Sequence, residues 1–155
     1  MGGLSARLAP EPQRGIMRPT KPLAAIVLFS LVTVEFGGWS LLGLLTSRDR
    51  LTPFEEQFFR AGHGHAGVLL ILALVYLLLM DRAGFTGRSQ LWLGITLLAG
   101  ILLQSGGFFV HMLVGAEETA SAGTWLTRSG AVLLAVALIS LGVGLLRAPR
   151  SEVTR

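Results

Sequence analysis

An all-α fold, a transmembrane four-helix bundle, is what this sequence predicts, and three observations predict it. Four apolar runs, Leu23–Leu45, Ala61–Met80, Gln90–Gly115 and Trp125–Leu146, each reach the ~20 residues that a helix needs to cross a bilayer core. Charged residues make up only 14% of the 155 residues against 52% hydrophobic ones, and the mean hydropathy is +0.65. What lies outside the runs is too short for a soluble domain with its own core. The expected layout is a tail over residues 1–20, one membrane domain over 21–148 and a second tail over 149–155.

Residues 1–20 carry Pro10, Pro12 and Pro19 among glycine and arginine, without apolar periodicity. That composition predicts a disordered tail. The first span, 23–45, follows basic residues as a signal peptide would. It exceeds the ~7–15 apolar residues of a signal peptide, carries Glu35 and ends Leu44-Leu45-Thr46-Ser47-Arg48 without a small-x-small cleavage site. It therefore reads as a retained helix. The second helix should begin ahead of its apolar run. Thr52-Pro53-Phe54-Glu55 supplies a capping hydroxyl, a proline at the first helical position and a glutamate at the third, a capping-box pattern. The helix then covers 53–80, with 61–80 in the bilayer, and its first turns mix aromatic and charged residues suited to the interface. The third and fourth spans are expected over 90–115 and 125–146.

The flanking charges set an orientation. Arg7, Arg14, Arg18, Lys21, Arg82, Arg88, Arg147, Arg150 and Arg155 fall on one side, and Arg48, Arg50, Arg60 and Arg128 on the other. The positive-inside rule makes both termini cytoplasmic. A pI near 11.0 and a net charge of +4 thus describe residues anchored to anionic lipid, and no nucleic acid is implied. The absence of cysteine excludes disulfides, thiolate metal sites and covalent c-type haem attachment. The Ala, Gly, Leu and Arg bias matches a GC-rich bacterial source, so a bacterial plasma membrane is the expected location.

A weak internal repeat runs through the chain. Glu35-Phe36-Gly37-Gly38-Trp39 matches Gln104-Ser105-Gly106-Gly107-Phe108 as polar-x-Gly-Gly-aromatic. Arg60-Ala61-Gly62 matches Arg128-Ser129-Gly130 at nearly the same offset. Two parallel helical-hairpin repeats would produce this pattern. So would chance in a chain with 20 glycines, and the two readings stay open.

Chemistry must come from the few polar groups inside the spans. His63 and His65 enter the second helix at its outer end. Two residues apart, they point about 200° away from each other and cannot bind one ion together. His65 shares a face with Leu69, Leu72 and Tyr76. On the third helix Gln104, Gly107, Phe108 and His111 form one face, with His111 near the predicted depth of His65. Glu35 lies ~15 Å in from the outer end of the first helix by the helical rise. An ionisable residue there normally faces the bundle interior or a water cavity. Together, Glu35, Gln104, His65 and His111 are expected to converge on one outward-opening cavity. Imidazoles from facing helices can ligate haem b iron axially, and imidazole also suits copper, iron and zinc. His65 and His111 are the candidate haem ligands. His63, His65 and His111 are the candidate metal ligands, and Glu35 and Gln104 the candidate proton- or substrate-handling groups. The competing reading of each histidine is a plain hydrogen bond to a carbonyl or a lipid headgroup.

Gly37, Gly38, Gly62, Gly64, Gly67, Gly106, Gly107 and Gly130 read as helix-packing positions, or beside His63 and His65 as room for a flat cofactor. Glu56 and Arg60 are spaced for a surface ion pair. Glu117 and Glu118 read as solvated loop charges, and Trp39, Trp92 and Trp125 as packing or interface anchors.

Gly62-His63-Gly64-His65-Ala66-Gly67 resembles the helix start of a class of small four-helix bacterial integral membrane proteins. The His63-x-His65 spacing is more distantly similar to the H-x-H helix of haem–copper oxidase main subunits. That resemblance implies opposite-face roles for His63 and His65. It covers only this short segment, and the oxidases' other histidine motifs are missing.

Three functional classes follow from these residues. The first is a membrane protein with a histidine-held metal or haem near its extracytoplasmic face, redox-linked through it. The second is an accessory or structural subunit of a membrane complex, with other membrane subunits or further copies of itself as partners. The third is a small membrane enzyme or transporter using Glu35.

Overall fold

The computed structural model describes residues 20–47 and 51–148. It contains four helices: α1 (Thr20–Thr46), α2 (Pro53–Met80), α3 (Arg88–Val114) and α4 (Ala122–Arg147). Each is long and apolar enough to cross a membrane, and no strand occurs among the described residues. The chain is an integral membrane protein built as an all-α four-helix bundle. The tail expected over residues 1–20 lies outside the described residues except for Thr20, which opens α1. The tail over 149–155 and Arg48 and Arg50 also lie outside them.

The helix ends follow local chemistry. At α2, Thr52 Oγ1 accepts from the Glu55 N–H at 3.2 Å and Glu55 returns a carboxylate oxygen to the Thr52 N–H at 2.7 Å. The first turn is thereby closed at both exposed donors. Glu56 and Arg60 form the expected ion pair at 2.6 Å on the next turn. Between α2 and α3 the chain turns through Gly84 and Gly87, with φ of +75° and +52°, angles that a side chain would strain. Buried Gln90 ties this turn, donating to Asp81 Oδ1 at 2.7 Å and to the Phe85 carbonyl at 2.6 Å. A second capping box opens α4, with Ser121 and Thr124 exchanging backbone bonds.

The helices do not pack equally. The closest pair is α3 and α4, and its cause is glycine spaced seven apart on each helix: Gly100 and Gly107 on α3, Gly123 and Gly130 on α4. A Cβ at Gly107 would sit 2.7 Å from the Gly123 carbonyl oxygen, and one at Gly130 would sit 2.7 Å from the Gly100 carbonyl oxygen. Only hydrogen fits, so the two backbones touch. Seven residues are two turns, which keeps both glycines of each helix on one seam. The apolar core lies toward the Met80 end of the bundle, around Tyr76, Met80, Leu97, Leu134 and Ala137. There the Tyr76 hydroxyl donates to the Ala137 carbonyl at 3.1 Å, joining α2 to α4.

α1 is the outlier. It packs on α2, touches α3 and has no packing contact with α4. Its only buried side chains are Leu23 and Val27, near its start. The bundle is therefore a close α2–α3–α4 unit with α1 laid mainly against α2.

Candidate functional site

The three histidines occupy three different environments. His63 and His65 leave α2 on different sides, as their two-residue spacing requires. The His63 ring lies over the Gly37-Gly38 pair of α1. A Cβ at Gly38 would meet its Nε2 at 3.2 Å, and one at Gly37 its Nδ1 at 3.4 Å. Phe59, one turn earlier, stacks beside it at 6.5 Å between centroids. The glycine pair thus makes room for an imidazole. His65 faces α3, with its ring 4.7 Å from that of Phe108. Its Nδ1 lies 2.8 Å from the Ala61 carbonyl oxygen of its own helix. A carbonyl only accepts, so Nδ1 carries the proton in this bond and Nε2 keeps a lone pair when the ring is neutral.

His111 is buried in the last turn of α3, 8% exposed. Phe54 and Phe58 of α2 cover it, at 5.5 and 4.4 Å between ring centres. Its Nδ1 is 2.7 Å from Ser121 Oγ and 3.4 Å from Thr124 Oγ1. The same Ser121 oxygen accepts from the Gly123 N–H at 3.1 Å. His111 is thus joined to the N-cap of α4.

A chain of ring contacts links His65 to Phe108, Phe108 to Phe58, and Phe58 to His111. Among the described residues apolar rings, and no shared polar partner, connect the two imidazoles. Among the described residues no three His, Cys, Asp or Glu side chains gather where they could hold a metal ion.

The single outward cavity expected for Glu35, Gln104, His65 and His111 is not what the helices form. His111 lines a small cleft of about 310 Å³ with Phe58, Phe108, Thr124 and Arg128. Glu35 is exposed on α1 and lines neither that cleft nor the larger groove described next. Gln104 is half-buried on α3, and its backbone carbonyl accepts from Thr127 Oγ1 of α4 at 3.4 Å. The physical reason is the position of α1. It lies along α2, and its Glu35 face turns away from the other helices.

Of the glycines expected to pack, Gly64 and Gly106 face open space, whereas Gly62 sits under the Phe109 ring. Trp39, Trp92 and Trp125 are all exposed. The Arg128 guanidinium lies over Trp125, 5.1 Å from the ring centre.

A groove of about 440 Å³ lies between α1, α2 and α3. His63, Ser30, Thr33 and Ser105 line it, among apolar residues such as Phe59 and Phe109. Ser105 is 5% exposed, and its Oγ is buried without a hydrogen-bond partner. Thr33, by contrast, donates to the Ser30 carbonyl at 2.7 Å. The volume lies within the ~300–1,000 Å³ of small-molecule sites, which are mostly apolar with a few placed polar groups. Sequence reasoning missed Ser105. It sat at the unassigned middle position of Gln104-Ser105-Gly106-Gly107, and nothing in that pattern distinguishes a groove-facing hydroxyl from one bonded to its own helix.

Fold and site together define a four-span helical membrane protein with a mostly apolar groove, carrying a few polar groups, between its helices. Compared with known proteins, the chain matches no family model, no curated protein and no solved structure.

Proposed function

We propose that this protein binds a lipophilic small molecule in the α1–α2–α3 groove, through a hydrogen-bonding head on an apolar body. The observation that carries this reading is the orphaned Ser105 Oγ in the groove wall. A buried hydroxyl without a partner costs ~1–3 kcal/mol, and a ligand bearing a polar group would remove that cost. His63 supplies a second hydrogen-bonding group from α2, and the apolar lining suits a molecule that enters sideways from the bilayer. An alcohol, ketone or quinone head on a hydrocarbon body has the required chemistry.

The test uses the full-length protein in lipid nanodiscs with decylbenzoquinone and dodecanol as probes. The wild type should bind at least one of them saturably. Ser105→Leu, which fills the groove wall, should weaken that binding at least tenfold. Equal binding by the two proteins, or no saturable binding of either probe, overturns the reading.

A haem on His65 and His111, or a metal ion at any of His63, His65 and His111 with His63 and His65 serving different sites, is a separate proposal. It rests on imidazole chemistry, and elemental analysis with an absorption spectrum of the purified protein tests it. The cytoplasmic placement of both termini in a bacterial plasma membrane rests on the flanking arginines, and reporter fusions at each end test it.

A further inference from the structure

α1 carries a second feature, on a different side from the groove. Leu28, Val32, Glu35, Trp39, Leu42 and Thr46 recur at alternating steps of four and three residues, and every one of them is exposed. That alternation is the a/d period of two helices packed in a left-handed seam. Val32, Trp39 and Leu42 are 65%, 71% and 61% exposed, large side chains left open on one line.

Glu35 sits in the middle of this line. It is eleven residues before the end of α1, so ~16 Å in from that end by the helical rise. No hydrogen bond or ion pair reaches it among the described residues. The described basic side chains, Lys21, Arg60, Arg82, Arg88, Arg128 and Arg147, belong to helix ends and connections or to the first turns of helices, and none forms an ion pair with it. A carboxyl at that depth is rarely left facing lipid.

We propose that α1 packs in parallel against α1 of a second copy of this chain, with Glu35 facing Glu35 of the partner subunit. Two copies inserted the same way and related by an axis along the membrane normal place equivalent residues at equal depth. A carboxyl in its acid form donates one hydrogen bond and accepts another, so a pair of them satisfies itself without any further group. A different protein would need a matching donor at the same depth and a matching seam. A second copy has both by symmetry. The groove residues Ser30, Val34 and Gly37 lie around the helix from this line, so dimerisation leaves the groove open.

The chain contains no cysteine, so single cysteines report contacts cleanly. In native membranes treated with copper phenanthroline, Val32→Cys and Trp39→Cys should form disulfide-linked homodimers. Ile139→Cys, equally exposed on α4, should not. Glu35→Leu should weaken self-association at least tenfold in a nanodisc energy-transfer assay, and Glu35→Gln should retain most of it. Four results would each overturn the proposal: a monomeric wild type, cross-linking as strong at Ile139→Cys as on α1, Glu35→Leu dimerising like the wild type, or seam cysteines captured by a different protein.

Discussion

The imidazole of His63 lies against Gly38 of the neighbouring helix, so closely that a Cβ there would come within 3.2 Å of Nε2. This contact sets the spacing of α1 from α2 where His63 lines the groove. Gly38→Ala should cost less than ~1 kcal/mol, because the ring can shift by a few tenths of an ångström. Gly38→Leu cannot be accommodated that way and should cost ~1–3 kcal/mol, as overpacking does. Adding His63→Ala should recover much of that loss, and thermal unfolding of the four proteins in one detergent gives the coupling. Additive losses would show that the contact does not set the helix spacing.

Ser105 offers a sign test. Removing a satisfied buried hydroxyl destabilises a protein, whereas removing an orphaned one relieves a cost. Ser105→Ala should therefore leave the ligand-free protein as stable as the wild type or more so, by up to ~1–3 kcal/mol. The same substitution should weaken retention of a polar-headed lipophile. Stability and binding thus move in opposite directions, an outcome that a purely structural serine would not give. Melting curves of delipidated protein, taken beside the binding assay, check it.

The glycines divide into two classes that a melting experiment can separate. Gly107→Leu and Gly130→Leu drive a side chain into the backbone of the facing helix and should unfold the α3–α4 pair. Gly64 and Gly106 meet nothing. Alanine at either should stabilise by ~0.5–1 kcal/mol through helix propensity alone. A destabilising Gly106→Ala would mean that another surface covers that position.

The fold was legible in the sequence because membrane spans are written in length and hydropathy, and the α2 start because its capping box is local. The opposed directions of His63 and His65 followed from helical geometry in the same way. Convergence was not legible. Depth along a helix can be counted from its ends, but which face turns inward depends on where the neighbouring helix is laid. The count puts His111 near the depth of His65 and Glu35 ~15 Å in from the end of its own helix. α1 then proved to be a peripheral helix with Glu35 on its outer side, and His111 proved to be tied to the α4 cap. Glycine was legible as a packing residue in general, yet only the coordinates separate Gly107, pressed on a backbone, from its neighbour Gly106, pressed on nothing.

The His111–Ser121 bond joins the last turn of α3 to the start of α4. Ser121 Oγ serves both the cap of α4 and the buried imidazole. Ser121→Ala should cost the ~1 kcal/mol of a lost N-cap and also leave His111 Nδ1 without its closest partner in an aromatic surround. The total should therefore exceed that of an ordinary cap deletion such as Thr52→Ala at α2, whose hydroxyl serves its own cap alone. His111→Phe keeps the ring packing against Phe58 and removes the need for the bond. Ser121→Ala in that background should cost only the cap itself. If the serine substitution costs the same with either residue at 111, the imidazole and the cap are energetically independent and the 2.7 Å contact contributes nothing to holding α4 against α3.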